Sequence, residues 1–215
     1  MTRGWRVLAG VEVAGAAVAV LADWFVPSLV LVGMATLSLV VRRDGPGSLG
    51  FRRPPHPWRL AGQMLLVSLA VSLLDVGLLM PIANHVSGTR QDLSDFADLQ
   101  GNLVLLALFI VLGWTLAALV EETAFRGYVF TRLTDVLGVG SSGVAVSLVL
   151  SSVLFAAIHS EQGVVGQVVA GVDALLYGAL RVWKATLWAP VLTHGFVDTV
   201  GFVAFFLVGP TYGLW

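Results

Sequence analysis

LVLLALFIVLGWTLAALVEETAFRGYVFTRLTDVLGVGSSG, residues 103–143, is the stretch on which the reading of the fold turns. Residues 103–120 hold no charge, and a run of this length spans a bilayer's hydrocarbon core as a helix. Charges begin at Glu121, yet residues 121–137 stay helix-compatible and carry several large apolar side chains. Two readings are open. In one, the span stops near Val120 and the charged motif lies at the surface. In the other, a single helix runs from about 103 to 137, and the glycine-rich LGVGSSG (137–143) turns the chain into the next span. The second puts Glu121 and His159 at matching distances on either side of the turn, roughly 27 Å at 1.5 Å rise per residue. They then face each other across a helical hairpin. We prefer it, because the first leaves His159 a full membrane width from the glutamates.

Composition agrees with a membrane protein. The chain has 215 residues, 57% of them hydrophobic and only 12% charged. Mean hydropathy is +0.89. A soluble domain carries about a quarter charged residues. The expectation is an all-α, polytopic transmembrane helical bundle of about seven (six to eight) spans. Net charge is −1, so no nucleic-acid partner is expected. The absence of cysteine removes disulfides, thiolate metal sites and cysteine nucleophiles. The apolar run after MTRGWR lacks a small-residue cleavage site with a polar start behind it, and reads as a retained first span.

Apolar segments fall at about 5–24, 26–41, 60–82, 103–120, 142–159, 163–182 and 186–208. A basic linker, RRDGPGSLGFRRPPHPWR (42–59), and an acidic one, NHVSGTRQDLSDFADLQGN (84–102), separate them. We divide the chain into an N-terminal transmembrane hairpin with its basic linker, 1–59, and a core, 60–215. With seven crossings and the N-terminus inside, every basic residue except Arg90 falls on or towards the inner side. The positive-inside rule then places the N-terminus in the cytoplasm and the 84–102 loop outside.

Ionisable residues inside apolar segments are functional candidates by default, because burying charge in hydrocarbon is costly. Three motifs qualify: EETAFR (121–126), FAAIH (155–159) and HGFVD (194–198). Glu122 and Arg126 lie one helical turn apart in the favourable order. Glu121 is turned about 100° away on a regular helix, which leaves it free for proton transfer while Glu122 is held by Arg126. Phe155 packs beside His159. Asp198 accepts a hydrogen bond from one ring nitrogen of His194, fixing its orientation. Each pair alone is as easily an ion pair or an inter-helix hydrogen bond. Their joint occurrence, in order, on three spans is not. Asp75 and Asp173 also sit in apolar runs, as helix-pairing groups or supporting partners. Glu12 lies near the start of the first span, within reach of the interface. His56 and His85 lie in linkers and read as surface histidines.

This ordered set, EExxxR, FxxxH and HxxxD, resembles the CAAX protease and bacteriocin-processing (CPBP, or Abi) family of intramembrane proteases. That family includes the type II CAAX prenyl endopeptidases. The resemblance covers residues 101–208. The last position is Asp198, where eukaryotic prenyl proteases usually carry asparagine. The resemblance implies a helical membrane bundle that hydrolyses peptide bonds. By position, Glu121 activates water; His159 and His194 orient it, bind a metal or stabilise the oxyanion; Asp198 supports His194; and Glu122 with Arg126 holds the site.

Two mechanisms stay open. Glu121, His159 and His194 form a two-histidine, one-carboxylate set that suits one zinc ion. Alternatively, no metal binds, Glu121 is a general base and the histidines donate hydrogen bonds. The H-E-x-x-H zinc signature is absent. The expected partners are the lipid bilayer and a peptide or membrane-protein substrate. Two other classes compete: a non-catalytic scaffold or immunity protein, and a small ion-coupled transporter.

Overall fold

The computed structural model describes residues 2–215. Among the described residues there is no strand, and the apolar segments form seven helical rods. We label them α1 (Arg3–Leu21), α2 (Pro27–Arg42), α3 (Pro57–Ser87), α4 (Leu103–Leu137), α5 (Ser141–Ala157), α6 (Gly163–Lys184) and α7 (Trp188–Val208). Five of these regions are long and apolar enough to cross a membrane; α2 and α5 are shorter apolar helices.

The expected long helix over 103–137 is present as α4. Asn102 caps its start by accepting from the Leu105 N–H at 3.2 Å. Gly138, with φ of 99°, ends it in a conformation disfavoured for a side chain carrying Cβ. The rod is not a regular α-helix. Gly113–Glu121 and Thr123–Val129 are π-helical, with Glu122 between them. A π-turn widens the helix and shifts the phase of the residues beyond it, a device frequent at functional sites. Threonine hydroxyls donate to carbonyls one turn back: Thr115 to Val111 at 2.7 Å and Thr123 to Leu119 at 2.6 Å.

The two halves of α4 live in different surroundings. Over Leu103–Leu112 only Leu106 is buried. Ala124 to Phe130 are buried without interruption. This second half is wrapped by α1, α2 and α5, while the first half and the π-helical middle lie along α7. The hairpin register is visible in side chains. The Phe125 and Phe155 rings meet edge-on at 5.2 Å, and the Ser151 hydroxyl donates to the Phe125 carbonyl at 2.9 Å. Four residues back from Phe125 is Glu121, and four on from Phe155 is His159, so both lie beyond this contact on the side away from the turn.

The helix α7 approaches the middle of α4 closely because of Gly195. A Cβ there would lie 2.6 Å from the Trp114 ring, and small residues at such crossings let backbones touch. The Trp114 indole N–H donates to Thr199 at 3.1 Å and fixes that ring.

In α3, Pro81 has no N–H to offer the preceding turn. The helix opens into a π-turn at Asp75–Leu79. The carbonyls of Val76 and Gly77 then accept from the last residues of the chain, the Leu214 N–H and the Trp215 indole N–H, each at 3.0 Å.

The basic linker is more structured than its composition implies. Leu49 is buried, and the Gly50 and Arg52 carbonyls accept from the Leu187 N–H and the Thr186 hydroxyl, tying the linker to the start of α7. Glu12, expected near the interface, is instead paired with Arg42 and Arg132 between α1, α2 and α4.

Candidate active site

Glu122 is fully buried, and it joins two of the three motifs. Its Oε1 lies 3.0 Å from Arg126 Nη1 and accepts from His194 Nδ1 at 2.9 Å. The expected pairing along α4 is therefore present, and it extends to α7. Arg126 is buried as well, with its guanidinium over the Phe155 ring at 4.1 Å and near the Tyr177 ring at 5.5 Å. A guanidinium stacked on aromatic faces and paired with a carboxylate offsets part of the cost of its desolvation.

The hydrogen bond expected between His194 and Asp198 is replaced. Asp198 Oδ1 stands 3.7 Å from His194 Nε2, beyond hydrogen-bond range, and the ring instead donates from Nδ1 to Glu122. The reason is packing: the Gly195 contact presses α7 against α4, bringing the imidazole onto a carboxylate already held by Arg126. Tyr177 of α6 stacks on the other side of the ring, with centroids 5.1 Å apart and planes 26° from parallel. The sequence reading missed Tyr177. Its signal was present: Tyr177 lies one turn after Asp173, on the same face of an apolar helix.

His159 follows the end of α5 rather than lying within it. Its Nδ1 donates to the Phe155 carbonyl at 2.9 Å, and the two rings are 4.6 Å apart. Donation from Nδ1 leaves Nε2 as an acceptor in the neutral ring.

Glu121 differs from its neighbour in making no ion pair or hydrogen bond among the described residues, whereas Glu122 is held through Oε1; the Oε2 of each is buried without a partner there. The charged groups around it are His194, Asp198, Glu122 and Arg126.

A cavity of about 290 Å³ opens beside this cluster, lined by His159, His194 and Asp198. Phe96, Phe202 and Phe205 form an apolar arm of the same cavity. The acidic loop contributes Gln91 and Leu93 to its lining, and the Gln91 amide donates to Gln162 at 2.8 Å. In that loop the Ser94 hydroxyl, and then its N–H, hold the Asp92 carboxyl below its ordinary range.

The zinc reading does not fit this arrangement. Among the described residues no three His, Asp or Glu side chains converge as a metal-holding group, so Glu121, His159 and His194 are not a ligand set as folded. The arrangement suits hydrogen bonding rather than tetrahedral ligation.

No curated protein and no solved structure matches the chain. Residues 103–200, from the start of α4 into α7, match the model of the family described as Type II CAAX prenyl endopeptidase Rce1-like. That stretch contains all three motifs, and the match agrees with the family whose motif order the sequence resembles.

Proposed function

We propose that this chain is an intramembrane endopeptidase that hydrolyses a peptide bond of a membrane-associated, CAAX-like substrate with water activated by Glu121. The observation that carries this reading is the division of labour between adjacent carboxylates. Glu122 is committed through Oε1 to Arg126 and His194, while Glu121, near the same histidine, makes no ion pair or hydrogen bond among the described residues. A free carboxylate next to a committed one is what general-base chemistry requires.

Glu121 takes a proton from water as the water oxygen attacks the scissile carbonyl carbon. His159 accepts from that water through Nε2 and orients it. The oxyanion forms near His194, whose Nε2, the ring nitrogen not bonded to Glu122, offers it an N–H when the ring carries both protons. Collapse of the tetrahedral intermediate breaks the C–N bond, and Glu121 returns its proton to the leaving amine. Asp198 stands on the Nε2 side of His194 and positions it. Arg126 acts through Glu122 as a positioning residue. The apolar arm of the cavity holds an apolar part of the substrate.

The test is mass-spectrometric mapping of new peptide ends when the purified chain, in lipid nanodiscs, meets a candidate membrane peptide. Wild-type protein is expected to generate a defined new end that Glu121→Gln does not. Ends that persist at the same rate in Glu121→Gln, with the protein folded, would overturn the reading.

A further inference from the structure

Carboxyl groups outnumber cations around the cavity. Asp75, Asp173 and Asp198 line it with two imidazoles, His159 and His194, and the charges of Glu121, Glu122 and one guanidinium, Arg126, lie close behind. Glu122 and Arg126 form an ion pair with each other. Asp75 and Asp173 are different. They come from α3 and α6, are only 7% and 9% exposed, and both line the cavity. They lie close enough for each charge to act on the other. Neither receives a hydrogen bond from the described residues.

A second observation points the same way. Tyr177, one turn along α6 from Asp173, is only 2% exposed, lines the cavity and has no hydrogen-bond partner for its hydroxyl among the described residues. Its ring is already fixed by stacking on His194. Across the cavity the Ser72 hydroxyl, one turn before Asp75, is also buried without a partner. Two acidic groups and two hydroxyls thus face one apolar-walled space. Buried carboxylates are tolerated when a cation and its N–H donors complete them. An aromatic face beside them adds to cation binding.

We propose that Asp75, Asp173 and Tyr177 form a subsite that binds a basic side chain of the substrate, a lysine ammonium or an arginine guanidinium, within the same cavity as His194. This deepens the protease reading and rests on it: it selects peptides with a basic residue close to the cleaved bond. The cation brings the donors that the two aspartates lack.

The test uses the full chain in lipid nanodiscs, in the Glu121→Gln background so that peptide is not consumed. The probes are synthetic peptides with one palmitoyl chain, identical except at a scanned position that holds lysine, arginine or the uncharged norleucine. The expected result is a position at which the lysine and arginine peptides bind at least about tenfold more tightly than the norleucine peptide. Adding Asp75→Asn and Asp173→Asn should remove that difference and leave norleucine affinity unchanged. Equal binding of all three peptides at every position, which needs no further variant to read, overturns the subsite. So does a basic preference that survives the double substitution. Wild-type cleavage separates the two readings. Glu121-dependent cleavage without basic preference leaves the protease and removes the subsite. Basic-selective binding without Glu121-dependent cleavage leaves the subsite and removes the protease.

Discussion

Two ionic clusters are built into this bundle, and they are composed differently. Between α1, α2 and α4, Glu12 and Asp135 face Arg42 and Arg132: two acids and two guanidiniums in a connected chain of ion pairs. Arg42 also lies over the Trp5 ring at 5.0 Å and donates to Ser38 at 3.1 Å. Around the cavity, by contrast, acids are in excess, and Glu121, Glu122 and Asp198 each keep a buried oxygen without a partner. A balanced cluster matches its charges, although Arg132 Nε and Nη2 are buried without hydrogen-bond partners among the described residues, and its work is to fix three helices. An unbalanced one is stable only at a cost that the rest of the fold absorbs, and unpaired groups are what a reacting substrate can use.

The sharpest way to break this contrast is to neutralise one carboxylate in each cluster. Glu121→Gln should lower peptide-end formation by a factor on the order of 10²–10⁴, the usual contribution of a general base, with little change in thermal stability. Next in size is Arg126→Met, which leaves Glu122 buried without its cation. We expect a loss of about 3–5 kcal/mol in unfolding measurements, the cost of breaking a buried pair from one side. Gly195→Val probes geometry rather than charge. The added side chain must displace the Trp114 ring and with it His194, and a shift of ~1 Å at a reacting group costs roughly 10²-fold in rate. The smallest effect belongs to the balanced cluster. Glu12→Gln should cost ~1.5–3 kcal/mol of stability, the range for a hydrogen bond to a charged group. Turnover by the folded fraction should stay at the wild-type value. Loss of turnover in Glu12→Gln without unfolding would erase the distinction between the two clusters.

Much of the architecture was legible because hydropathy is a one-dimensional signal. The seven apolar segments reappear as the seven rods, and the long helix over 103–137 arises from apolar residues continuing past Glu121 to a glycine turn. The Glu122–Arg126 pair was legible for the same reason, since both groups share one helix. Contacts that cross between helices were not. The bond from His194 to Glu122 joins residues 72 apart, and it depends on how α7 is rotated against α4, which sequence spacing does not encode. The π-turns hid the phase further: a reading based on 3.6 residues per turn gives the wrong azimuth for residues beyond Gly113. Asp75 and Asp173 were both visible as acids in apolar runs, but their meeting at one cavity was not.

The π-turn in α3 carries a practical corollary. Leu214 and Trp215 hydrogen-bond to the carbonyls that Pro81 leaves free, and Thr211 lines the cavity. The wall holding Asp75 is thereby stitched to residues 211–215. Replacing the Trp215 indole would loosen that seam, so a side chain remote from the three motifs becomes a handle on the shape of the cavity.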